Sequence, residues 1–105
     1  KHQGIQFKFA DMSAEIRAME LMTYDTARMK AEGKRHTLEA AQTKLFAGTR
    51  CTQICLECQQ VLGGNGYSKE YHVERFVRDA KLLEIGEGTN EILRMLIGGT
   101  VLAQK

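Results

Sequence analysis

Apolar residues recur along the first third of the chain as Ile5, Phe9, Met12, Ile16, Met19, Met22, Thr26 and Met29. Steps of three and four trace one face of a helix. Asp11, Glu15, Arg17, Glu20, Asp25 and Lys30 fall between them, on the expected wet side. Gly33 is the expected stop, so the helix should run roughly 40 Å and need helical neighbours. A second stripe, Leu38, Ala41, Leu45, Gly48, Thr52, Cys55, Gln59 and Leu62, follows from Thr37, which reads as an N-cap. Ala41, Ala47 and Gly48 suggest that another helix approaches closely at mid-length. Gly63-Gly64-Asn65-Gly66 should end this helix by freeing the backbone to take positive φ. A shorter helix is expected from Val73 to Ala80, then a brief apolar segment, Leu82 to Ile85, and a turn at Gly86-Glu87-Gly88-Thr89. The last helix runs from Asn90 through Ile92, Met95, Leu96 and Leu102, with Thr89 as its cap. Strand alternation and internal repeats are absent from the pattern. The fold class read from it is all-α, an up-and-down helical bundle of about four helices.

Composition sharpens this picture. The chain has 105 residues, 43% of them hydrophobic, enough for one compact core and a single domain over residues 1–105. That length excludes a TIM barrel or a two-domain nucleotide-binding fold. Proline is absent where average usage predicts about five, as long helices with few connections require. Fifteen basic and thirteen acidic residues give a net charge of +2 without a concentrated patch, against a nucleic-acid partner. No apolar run reaches membrane-spanning length. The opening Lys1-His2-Gln3 reads as an internal start, so the chain is expected to be a fragment or a trimmed product of a larger parent.

Several residue groups invite chemical readings. Cys51, Cys55 and Cys58 have the C-x3-C-x2-C spacing of a cluster-binding loop, but here they sit inside a periodic helix, about 10 Å from end to end. They read as small packed side chains, and their odd number fits a reducing compartment. His2, His36 and His72 share no metal-ligand spacing. Gly63-Gly64-Asn65-Gly66 lacks the Lys-Ser/Thr of a phosphate loop. Arg78-Asp79 reads as part of a solvated face, with a buried pair as the alternative. Glu87 lies between two glycines, just ahead of a helix cap. Ile85, Ile92 and Met95 nearby could bury it and tune it toward a general base. Composition alone favours an exposed loop glutamate.

Gln60-Val61-Leu62-Gly63-Gly64-Asn65-Gly66-Tyr67, Glu70, Val73-Glu74-Arg75, Arg78-Asp79-Ala80-Lys81 and Glu87-Gly88-Thr89-Asn90-Glu91-Ile92 together resemble the C-terminal helical domain of acyl-CoA dehydrogenases. The opening Ile5-Gln6-Phe7-Lys8-Phe9-Ala10-Asp11-Met12 resembles that domain's start in short-chain and branched-chain members. The resemblance implies an FAD-dependent oxidation. A carboxylate takes the α-proton of an acyl-CoA thioester while the β-hydrogen leaves as hydride to flavin N5, giving a trans-2-enoyl-CoA. Glu87 falls on the base, with its amide bonding the thioester carbonyl. Gly88 and Gly86 fall on the substrate-facing wall, and Thr89 and Glu91 on positions that touch the flavin of the same subunit. Gln60 and Gly64, and Gln3 with them, match the segment that meets the adenine and pyrophosphate end of a neighbouring subunit's FAD. The resemblance further implies a homo-oligomer, dimer or tetramer, and an acceptor such as electron-transfer flavoprotein. Its setting is the mitochondrial matrix or the bacterial cytoplasm.

Three positions depart from the family pattern. His72 stands where relatives often carry proline, a change expected to leave the chemistry alone. Leu93 replaces a common glutamine, which puts one polar contact in doubt. Gly86 replaces a tyrosine that walls the acyl pocket, which leaves room for a bulkier, branched or cyclic acyl chain. The family's N-terminal helical domain and β-domain are missing from these residues, so the isolated chain is expected to bind FAD poorly and be inactive. A non-catalytic helical oligomerisation module is the alternative reading.

Overall fold

The computed structural model describes residues 2–103. Helix α1 spans Gln3–Ala31, α2 Thr37–Leu62, α3 Gly64–Tyr67, α4 Val73–Leu82 and α5 Asn90–Ala103, with a 3-10 turn at Lys69–Tyr71. The all-α bundle is thus as the periodicity predicts, with five helices rather than four. Thr37 lies inside α2, and His36 takes the cap position without a side-chain bond to the helix. Its ring Nδ1 is instead 2.9 Å from the Lys34 carbonyl. Thr89 is confirmed as a cap, since its Oγ1 accepts from the Ile92 amide at 3.4 Å.

The glycine-rich segment does more than end α2. Gly63 turns the chain at φ 57, and the next four residues form a helical turn folded back on α2. Gly66 sits so close to α2 that a Cβ there would lie 2.2 Å from the Gln59 carbonyl oxygen. His72, where proline is common in relatives, has φ 60. Proline's ring fixes φ near −65° and cannot take that conformation, so the change alters the backbone and not only the side chain.

α2 is the centre of the arrangement: α1, α4 and α5 each pack on it, and α1 packs on no other helix among the described residues. α1 and α2 run antiparallel, joined by Thr26 to Thr43 at 2.9 Å and Cys58 Sγ to Met12 Sδ at 3.7 Å. Glu15, expected on the wet side, lies in this seam, paired with Arg50, and Lys8 pairs with Glu57. Of the α1 stripe, Met12 is buried and Met19, Met22, Thr26 and Met29 are half-buried, but Ile5, Phe9 and Ile16 are exposed.

The expected compact core does not form from these residues. Met12, Ala41, Ala80 and Leu93 are the buried apolar side chains among those described. The radius of gyration is 16.3 Å and the extents are 49 × 27 × 26 Å, where a compact chain of this length would measure about 13 Å. Apolar content counts residues, not partners. With a single neighbour, α1 leaves Phe7, Leu21 and Tyr24 facing outward.

Candidate functional site

Gly48 is where the site begins. A Cβ at this α2 position would lie 3.2 Å from the Leu83 carbonyl oxygen, so the missing side chain lets the end of α4 rest on the α2 backbone. The segment from Leu83 to Thr89 then crosses α2 as a turn. Lys44, one helical turn before Gly48, reaches it: Nζ donates to the Leu83 carbonyl at 3.0 Å and to the Gly88 carbonyl at 2.7 Å. Across the base of the turn, the Asn90 amide donates to the Glu84 carbonyl at 3.1 Å.

Asn90 is buried at 5% exposure, and its Nδ2 donates to Thr49 Oγ1 at 3.2 Å and Glu84 Oε2 at 3.1 Å. Hydrogen bonding from the Thr52 hydroxyl, and then from Lys81, holds the Glu84 carboxyl below the ordinary carboxylate range. Glu84 therefore anchors the turn as an anion. Leu93, in place of the expected polar contact, is buried beneath Gly88.

Glu87 occupies the crest of this turn. Its φ is 56 and that of Gly88 is 106, so two successive residues are left-handed. The Glu87 N–H has no acceptor among the described residues. The carboxylate is exposed, as composition alone favours. The apolar enclosure expected from Ile85, Ile92 and Met95 is not formed, because all three side chains face outward. Grooves are present elsewhere on the bundle. One of about 460 Å³ runs between α1 and α2 past Lys8, Glu15, Arg50 and Ile54. Another of about 560 Å³ lies between the start of α2 and the end of α5.

The expected site residues fall into two groups. Gly86, Glu87, Gly88, Thr89 and Glu91 are gathered where the turn enters α5, and Glu91 is ion-paired with Arg94 at 3.6 Å. Gln60 and Gly64 are exposed at the far end of α2, about 20 Å further along it. The antiparallel pairing brings Gln3, at the start of α1, to that same end. Lys44, Glu84 and Asn90 escape the sequence reading as site residues. The signal available was Gly48, whose close approach places Lys44 beside whatever packs there.

The three cysteines are free and half-buried along α2. Burial, and then the neighbouring Cys51, push the Cys55 thiol up to about 11, so it stays protonated and unreactive near neutral pH.

Residues 1–102 match the family model described as acyl-CoA dehydrogenase, C-terminal domain. The chain is 50% identical over 100 residues to a probable acyl-CoA dehydrogenase, YngJ, of Bacillus subtilis, covering 95% of this chain and 26% of that protein. It is 48% identical over 96 residues to the mitochondrial isovaleryl-CoA dehydrogenase of Oryza sativa subsp. japonica, covering 91% and 24%. It superposes on butyryl-CoA dehydrogenase from Megasphaera elsdenii with a TM-score of 0.95 at 45% identity, covering 97% of this chain and 27% of that one. The chain spans about a quarter of the length of the curated relatives it matches.

Proposed function

The chain belongs to the acyl-CoA dehydrogenase family, whose C-terminal domain it matches, and on that premise we propose that Glu87 is the base of an FAD-dependent α,β-dehydrogenation of an acyl-CoA thioester. In this reading residues 1–105 are one helical domain, the C-terminal part of a longer enzyme. The observation that carries the proposal is the left-handed backbone at Glu87. A non-glycine residue held in that region costs about 1–3 kcal/mol and persists where its surroundings enforce it, characteristically at functional sites. A turn with no task for the carboxylate could carry glycine there at no such cost.

The same conformation serves the chemistry. The Glu87 carboxylate takes the α-proton, and its unbonded N–H is free to donate to the thioester carbonyl. The start of α5, three residues on, adds positive potential as charge develops on that oxygen. Gly88 leaves the backbone bare beside the reacting carbons, and Gly86 leaves space where a larger side chain would narrow the acyl pocket. The enclosure that excludes water must come from the parent's other residues, against the outward-facing Ile85, Ile92 and Met95.

The surface left open suits FAD. Gly64 has nothing within 4 Å of where a Cβ would stand, so its backbone is accessible to a pyrophosphate, and Gln60 and Gln3 are exposed at the same end. These three would hold the adenine and pyrophosphate portion from a neighbouring subunit, and Thr89 and Glu91 the flavin portion. When bound, FAD supplies the hydride acceptor. Division of the cofactor between subunits makes the parent a homo-oligomer, dimer or tetramer, passing electrons to an acceptor such as electron-transfer flavoprotein. Relatives include bacterial and mitochondrial enzymes, and the parent is assigned to bacterial cytoplasm or mitochondrial matrix accordingly.

Glu87→Gln in the full-length parent tests the base. We expect kcat to fall by about 10²–10⁴-fold with FAD content unchanged. Turnover at the wild-type rate refutes the assignment. The exposed apolar faces of α1 and α5 favour a second reading, a helical oligomerisation module without catalysis. A full-length parent that assembles, yet shows no flavin absorbance and no acyl-CoA turnover, would favour that reading.

A further inference from the structure

We propose that Lys44 is the positioning residue of the Glu87 turn, an inference that rests on Glu87 being the base. Its cation is spent on two backbone carbonyls, Leu83 at 3.0 Å and Gly88 at 2.7 Å. These carbonyls lie on either side of Glu87, four residues before it and one after. The ammonium therefore grips the turn at both flanks of its one strained non-glycine residue, whose φ is 56. Gly48 makes the grip possible by admitting Leu83 to within reach of α2. The Asn90 bonds to Glu84 and Thr49 tie the base of the turn, with Glu84 and Asn90 on opposite sides of Glu87, but they leave the Gly88 carbonyl unheld.

Charge-assisted bonds are stronger than neutral ones, and among the described residues Lys44 supplies the only such bonds to the backbone of this turn, those to the Glu84 carboxylate reaching a side chain instead. Without them the Gly88 carbonyl is released, and the backbone at Glu87 can relax out of the left-handed region. The carboxylate would then drift from the line of the proton it removes. A misplacement of about 1 Å costs on the order of a hundredfold in rate. Lys44 touches no reacting atom in this arrangement and acts through the backbone alone.

The test uses Lys44→Met and Lys44→Arg in the full-length parent, with Glu87→Gln alongside. Lys44→Met should lower kcat by about ten- to hundredfold, leave KM within about twofold and retain FAD, and Lys44→Arg should recover most of the loss. Hydrogen exchange gives a readout independent of turnover. The Gly86 and Asn90 amides should exchange at least about tenfold faster in Lys44→Met, while the amides within α4 do not change. A wild-type kcat in Lys44→Met beside an inactive Glu87→Gln overturns the role of Lys44 and leaves the base in place. An active Glu87→Gln removes the base and this proposal with it. Equal losses in both Lys44 variants, accompanied by loss of FAD, reduce Lys44 to a general structural contact and also overturn the proposal.

Discussion

Gly66→Ala should damage the end of α2 more than its small size suggests. The added Cβ would stand 2.2 Å from the Gln59 carbonyl oxygen and 3.0 Å from both the carbonyl carbon and the Cα of Gln59. The atoms met are backbone, so no side chain can swing away, and α3 must move off α2 by about 1 Å to reach ordinary contact distance. That movement stretches the bond from Gln59 Nε2 to the Gly66 carbonyl, now 3.2 Å, and the bond from the Gly66 amide to the Gly63 carbonyl, now 3.0 Å. Overpacking of this kind costs about 1–3 kcal/mol, and a weakened hydrogen bond about 1 kcal/mol more. Alanine returns about 0.4–1 kcal/mol by restricting the unfolded chain. The net loss should be about 2 kcal/mol. In the full-length parent, that corresponds to about 30-fold faster exchange of the Ser68 amide, which is bonded to the Asn65 carbonyl. Gly4→Ala is the control, with open space around its added Cβ and an expected effect that is neutral or stabilising. Protection at Ser68 in Gly66→Ala equal to that in the control refutes the close-approach argument.

Two further outcomes follow from the turn. Gly86→Tyr should shift preference from branched toward straight acyl-CoA substrates, measured as the ratio of kcat/KM values. A Cβ there would stand 3.3 Å from the Leu82 carbonyl oxygen and 3.5 Å from Leu82 Cδ1, so Leu82 must give by a few tenths of an ångström, and an unchanged ratio removes Gly86 from the pocket wall. The Glu84 carboxyl is held below its ordinary value by Thr52 and Lys81. Its stabilising contribution is therefore full above the ordinary carboxylate range and lost as pH falls through the depressed value. Denaturant titrations across pH 6 to 2 should show less acid loss in Glu84→Gln than in wild type, and identical slopes would contradict this.

Local features were the legible ones. The stripes of α1 and α2 follow from a 3.6-residue period carried in the sequence itself, and Thr89 could be read as a cap because its bond spans three residues. α3 could not be read this way, because Gly63, Gly64 and Gly66 signal a break. Its helical turn is imposed by packing on Gln59, seven residues back from Gly66. The exposure of Phe7 and Tyr24 was hidden for a related reason: an amphipathic pattern shows that a face will be covered without showing by what. Glu87 was visible through its flanking glycines and through the surrounding motif. Lys44 was not, since its partners lie 39 and 44 residues away and neither partner is a side chain.

α2 has the character of a ruler. Its rise per residue, about 1.5 Å, sets the span between the Gly48 end and the Gln60 end by residue count alone. Replacing one side chain between them leaves that span intact. Inserting or deleting one residue moves one end by the full rise and rotates it by about 100°. It would then swing Gln60 to another side of the bundle relative to Glu87, so this stretch tolerates a change of side chain better than a change of length.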